Sequence, residues 1–214
     1  MIKLGKLNRG EVLRYLGGNK VEPDEKMNAL LDKCEEKILS VSAVKYLYKQ
    51  IPIEEGGLLK GEDIKKHLKG CESAVILCAT VGNPVDKLIR SASVEDMSEA
   101  VVLDAMASAA VEQVCDKLDD IIAAENPGKY LTHRFSPGYG DYPIELQKLF
   151  LQLLDAPRKI GLCASGSSLL TPTKSVTAII GISASPIEKK RSGCASCNLR
   201  ESCEFRKTGE RCDF

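Results

Sequence analysis

From Pro23 onward, apolar side chains recur at spacings of three, four and seven: Met27, Leu30, Leu31, Cys34, Ile38 and Val41. This predicts an amphipathic helix with Asp32, Lys33, Glu35 and Lys37 on its outer face. Cys34 then reads as a small core residue. The period shortens at Val44, where Tyr46, Leu47 and Tyr48 predict a strand that ends at Pro52 and Gly56-Gly57. Ala74 to Val81 is an unbroken apolar run of strand length, which predicts burial on both faces. Cys71 and Cys78 bracket that strand and read as structural. Ser175 to Ser183 repeats the pattern, and Ile160 to Ala164 predicts a shorter strand. Short helices are expected over 62–69, closed by Gly70, and from Gly82-Asn83-Pro84 to about Ser91. Glu11 to Leu16 predicts a turn or two of helix within an N-terminal arm packed on the body.

The longest periodic stretch follows. Ser93-x-x-Asp96 has the form of a capping box, and a helix of about 45 Å is expected over Val94 to Ala124. Ala100, Asp104, Ala107, Val111, Val114, Leu118 and Ile121 recur at near-heptad spacing. Ala105, Ser108 and Ala109 make a neighbouring face of small side chains, open to close approach by a backbone or ligand. Glu112 lies on that face with Asp116 one turn on. Glu112 is either a solvated charge or a carboxylate facing the loop that follows. Asn126-Pro127-Gly128 ends the helix. The loop Arg134-Phe-Ser-Pro-Gly-Tyr139, continuing to Pro143, concentrates turn-formers, an aromatic and a guanidinium. Another helix is expected beyond it, with Pro143 and Glu145 in its first turn, Asp141 as its cap, and Leu146, Leu149, Phe150, Leu153 and Leu154 buried. Strands on both sides of the long helix predict one α+β domain.

Composition adds the tail and the limits. The 214 residues suffice for one domain with an appendage, and 30 basic residues balance 30 acidic ones. That neutrality argues against a nucleic-acid partner, whose binding rests on neutralised phosphates. No stretch reaches the roughly 18 apolar residues of a membrane span, and the N-terminus lacks a signal-peptide pattern, so a soluble, cytoplasmic protein without a membrane partner is expected. Nine cysteines in such a chain suit a reducing compartment. Cys194, Cys197, Cys203 and Cys212 follow C-x2-C-x5-C-x8-C in a segment with little apolar content. Their thiolates predict metal binding, by an iron–sulfur cluster or zinc. Basic neighbours such as Lys189, Arg191, Arg200 and Arg206 would offset the charge. The expected division is a domain over 1–188 and a cysteine-rich metal-binding tail over 189–214.

Arg134, Pro137, Gly138, Tyr139 and Pro143, in the pattern Arg-x-x-Pro-Gly-Tyr-x-x-x-Pro, resemble the signature of the activation domain of cobalamin-dependent methionine synthase. The alanine-rich Leu103–Glu112 stretch is similar to the helix preceding that loop in the family. Ser165 to Pro172 with Ser175-Val176 resembles the family's Thr-Glu-Ser…Met-x-Pro-x-x-Ser-Val-x-Gly segment, with Gly166 in place of the glutamate. The family's final segment, with a tyrosine near the ligand, is replaced by the cysteine tail. The resemblance implies a C-shaped or helmet-like α+β domain on a bent antiparallel sheet. It implies binding of S-adenosylmethionine, capping of a corrinoid, and remethylation of oxidised cobalamin after reduction. By position, Arg134 would hold the ligand's carboxylate and Gly138 would allow close backbone approach. Tyr139 would lie against ligand or corrinoid, and Glu112 would favour the sulfonium. Lacking the other methionine synthase domains, the chain is expected to serve a separate cobalamin-binding methionine synthase or other corrinoid protein, with methyltransferase activity only alongside that partner. An iron–sulfur tail could deliver the electron. The alternative is a metal-stabilised module that docks on or reduces a corrinoid protein without S-adenosylmethionine.

Overall fold

The centre of the molecule is a strand whose alternate side chains enter two different cores. The computed structural model describes residues 2–17, 22–54 and 57–187. The elements run α1 (Arg9–Tyr15), α2 (Glu25–Val41), β1 (Lys45–Pro52), α3 (Glu62–His67), β2 (Ser73–Thr80), α4 (Asn83–Glu95) and α5 (Met97–Glu125). They continue as β3 (Tyr130–Leu131), α6 (Leu146–Leu154), α7 (Ala156–Ile160), β4 (Cys163–Ala164), β5 (Leu170–Thr171) and β6 (Ser175–Ser183). Four strands form an antiparallel sheet in the order β1-β2-β6-β3, and β4 and β5 pair separately, so the fold is α+β.

The two-residue period of β2 explains the layering. Val75 and Leu77 join Ile122 of α5 and Ala178, Ile180 and Ile182 of β6. Ala74, Ile76 and Cys78 point the other way, to Phe150, Leu151 and Leu154 of α6 and Ile64 of α3. The register matches: Val75 faces Ile180 and Leu77 faces Ala178. Each large aliphatic buried this way contributes about 1.5–3 kcal/mol. A larger core holds α2, α4 and α5 together through Leu31, Cys34, Ile38, Val85, Leu103, Met106 and Val114. With no tryptophan in the chain, alanines 100, 105, 107, 109 and 110 fill much of the buried side of α5.

The N-terminal arm lies across α5 and α2. Gln113 accepts from the Gly5 amide at 3.0 Å and donates to the Lys6 carbonyl at 2.9 Å. Glu35, expected on the outer face of α2, is instead buried and accepts from the Leu7 amide at 2.6 Å. The arm covers that face, which the helix's own periodicity could not reveal.

Four boundaries differ from the sequence expectation. Helix α6 begins at Leu146 with Glu145 as its N-cap, so Pro143 and Glu145 precede its first turn. Helix α4 runs through Ser93 to Glu95, and Asp96 caps α5 by accepting from the amides of Ser98 at 2.9 Å and Glu99 at 3.3 Å. Ser93 Oγ donates instead to the Arg90 carbonyl at 2.7 Å. Asp141 caps α3, not α6: its carboxylate accepts from the amides of Glu62 at 2.6 Å and Asp63 at 3.0 Å. The approach is close enough that a Cβ at Gly61 would sit 2.6 Å from Asp141 Oδ1, at a φ of 108°. Ile160 closes α7 rather than opening a strand, because Gly161 turns the chain in the left-handed region first.

Candidate functional site

Helix α5 presents one outward line of polar side chains, at residues 104, 108, 112, 116 and 119. The steps of four, four, four and three keep them on one face. Two connections return to that line. The first leaves α5 at Asn126, turns at Gly128, and lies along β6: Thr132 N donates to the Gly181 carbonyl at 3.0 Å, and Phe135 bridges Ile179. Arg134 lies between those two anchors, so its side chain reaches back to α5.

There the guanidinium meets three carboxylates. Nη2 donates to Glu112 at 3.0 Å and to Asp116 at 2.9 Å, and Nη1 donates to Asp119 in a closer contact. The Arg134 side chain is 19% exposed, against 41% for Glu112, 70% for Asp116 and 39% for Asp119. Burial opposes the charge on Arg134, but the surrounding carboxylates outweigh it and hold its pKa above the ordinary value. Burial pushes Asp119 up to about 6, against the pull of Arg134, and Oδ1 of Asp119 is buried without a hydrogen-bond partner among the described residues. Three acids around one base leave the cluster with a negative excess, which favours an approaching cation.

The loop beyond Arg134 is a tight turn: Gly138 N donates to the Tyr142 carbonyl at 2.8 Å and Tyr142 N to the Tyr139 carbonyl at 2.9 Å. Gly138 adopts φ 98°, a conformation that L side chains rarely take. Pro137 is buried and the Tyr139 ring is 62% exposed. Tyr142 anchors the turn from inside, fully buried, 5.8 Å from the Phe135 ring and 6.5 Å from the Phe150 ring.

The second connection is the segment between β5 and β6. Lys174 reaches the same line of α5, with Nζ 2.8 Å from Asp104 and 3.0 Å from Ser108 Oγ, one helical turn from Glu112. Its side chain is 14% exposed. The hydroxyl-rich Ser165–Ser168 turn lies elsewhere: Lys148 of α6 donates to the Gly166 carbonyl at 3.0 Å.

Of the residues singled out by sequence, Glu112 and Arg134 are in direct contact, and Pro137, Gly138 and Tyr139 form the adjoining turn. Cys194, Cys197, Cys203 and Cys212 lie outside the described residues. Among the described residues, no group of three or more His, Cys, Asp or Glu side chains could hold a metal, and no helix is long and apolar enough to cross a membrane. A cleft of about 440 Å³ between Lys148, Gln152, Asp155 and Cys163 shares no residue with the Arg134 cluster.

Sequence reading missed Asp119, Lys174 and a histidine pair. The continuation of the acidic spacing from 112 and 116 to 119 could have found Asp119. Nothing local signalled the others. The chain's two histidines meet edge to face, with His67 and His133 ring centroids 4.5 Å apart, and His67 stacks on Phe135 at 4.9 Å. His67 Nε2 meets Thr132 Oγ1 at 2.8 Å. Burial, with His133 beside it, lowers His67 to about 4.

No family model matches the sequence, and no curated protein matches it. Among solved structures, the crystal structure of the MetH reactivation domain bound to AdoHcy aligns with a TM-score of 0.53 and 14% sequence identity, covering 86% of this chain and 70% of that chain. In fold, this chain is similar to that reactivation domain.

Proposed function

We propose that the chain is a reactivation partner for a separate cobalamin-carrying methyltransferase, and that it binds S-adenosylmethionine along the outward line of α5. The observation that carries this reading is the meeting of Glu112 with Arg134, in a fold shared with a domain crystallised with AdoHcy. The residues present fit such a ligand. A guanidinium suits the methionine carboxylate, in paired hydrogen bonds. The Glu112 carboxylate suits the sulfonium and the ammonium. The exposed Tyr139 ring supplies a face for stacking beside them. S-adenosylmethionine supplies the methyl group; this chain's residues hold and orient it towards the partner's corrinoid.

Calorimetry tests the reading. The wild type is expected to bind S-adenosylmethionine and Arg134→Ala to lose that binding; a folded wild type that takes up no ligand overturns it. One observation favours a second reading, a docking module that does not use S-adenosylmethionine: Arg134 already has three carboxylate partners. The same titration separates the two. Cys194, Cys197, Cys203 and Cys212 are proposed as thiolate ligands of an iron–sulfur cluster or zinc. Anaerobically purified protein is expected to contain iron or zinc, and a metal-free product removes this part of the proposal.

A further inference from the structure

The three carboxylates on Arg134 are not equivalent. Among the described residues, Nη1 donates to Asp119 alone, whereas Nη2 is shared between Glu112 at 3.0 Å and Asp116 at 2.9 Å. Asp119 is held low in the cluster, with one oxygen buried and without a partner among the described residues. Asp116 is the outermost acid, 70% exposed, and sits one turn from each of the others. An ion pair in that position works against full solvation and is readily exchanged. The two acids on Nη2 also repel each other, so giving up one costs less than giving up a sole partner.

We infer that Asp116 gates Arg134: it occupies Nη2 in the ligand-free protein and yields that position to the carboxylate of an incoming ligand, while Asp119 stays on Nη1 and fixes the plane of the guanidinium. The inference rests on the proposed binding of S-adenosylmethionine and adds what that binding must displace. Asp116 and Asp119 are thus positioning residues that act through Arg134. A ligand carboxylate replaces the Asp116 carboxylate like for like, so the pairing of Arg134 survives. Ligands with a carboxylate are thereby favoured over those without one, which cannot take the place that Asp116 vacates.

The test is calorimetry on the full chain with S-adenosylmethionine and with its decarboxylated form, using wild type, Asp116→Asn and Asp119→Asn. Asp116→Asn keeps the side-chain volume but competes weakly for a guanidinium. It should bind S-adenosylmethionine about fivefold tighter, the upper range for release of an exposed ion pair, and should gain nothing for the decarboxylated form. Asp119→Asn should bind S-adenosylmethionine more weakly. A merely structural role for Asp116 would move both ligands alike. Equal gains for the two ligands, or an Asp116→Asn affinity unchanged from a wild type that binds, overturns the gate and leaves the binding reading standing. If neither wild type nor Asp116→Asn binds S-adenosylmethionine while both keep a native circular dichroism spectrum, the binding reading falls and the gate falls with it. Binding seen only in Asp116→Asn overturns the binding reading for the wild type, and the gate with it.

Discussion

Helix α5 carries two ion clusters of opposite build. Near its start a single acid, Glu99, receives Lys33 Nζ at 2.6 Å and Lys37 Nζ in a closer contact, both from α2. Towards its far end a single base, Arg134, receives three acids. In the first, the central group is the buried one: the Glu99 side chain is 8% exposed, and the lysines keep their surplus charge in solvent. Hydrogen bonds from those lysines lower the Glu99 pKa despite its burial, and its place in the first turn suits the helix dipole. Every charge there favours the folded arrangement. In the second, the surplus is negative and partly shielded, and Asp119 is pushed up to about 6 by burial. A carboxylate held against its own preference, beside an irregular loop, supports the proposed binding role for this cluster over a purely structural one.

Two changes sharpen that contrast, the larger first. Glu99→Ala removes the centre of the structural cluster, and a loss of about 1.5–3 kcal/mol is expected for its charged hydrogen bonds. Urea denaturation would measure it, while any ligand affinity at Arg134 should stay as it was. A fall in affinity equal to that of an Arg134 variant would show that the two clusters are one.

The smaller effect is a pH profile. His67 is lowered from 6.5 to about 4, so folding favours its neutral form. That contribution is whole above pH 6.5 and is lost as the pH falls towards 4. His133 is shifted the same way, by burial. Asp119 is raised from 3.8 to about 6, so folding opposes its charge, and this penalty is relieved as the pH falls below 6. The two slopes are opposed. From pH 6.5 to about 5, above the range where most carboxylates titrate, the wild type should lose little stability. Asp119→Asn should lose stability steadily, because the histidines then act alone. A parallel course for the two proteins, by urea midpoint at each pH, would dismiss the opposed pair.

The sequence announced whatever its own neighbours determine. The continuous apolar runs of β2 and β6 gave their burial, the three-four spacing gave α2, and Pro137-Gly138 gave the turn. The errors came where two local signals were equally good or the partner was remote. Ser93 and Asp96 are both acceptable caps three residues apart, and the carboxylate won because it reaches two amides. Asp141 has the chemistry of a cap, but the helix it caps lies 78 residues back. Glu35 follows the polar period of α2 until the arm covers it. At the site, the arginine was conspicuous and its contact with Glu112 was one of two open readings. Lys174 with Asp104, and His67 with His133, are each joined across more than sixty residues, with no periodicity to betray them.

The tie between Asp141 and α3 has a consequence in time. The loop that carries Arg134 is fastened at one end to acids 15 to 22 residues upstream and at the other to amides 78 and 79 residues upstream. The near fastening closes a small ring of chain as soon as α5 exists. The far one must wait for β1, α3 and β2 to come together, since distant closures come late. The loop is therefore expected to form from its arginine side towards its aspartate side, an order that φ values at Arg134 and Asp141 would check.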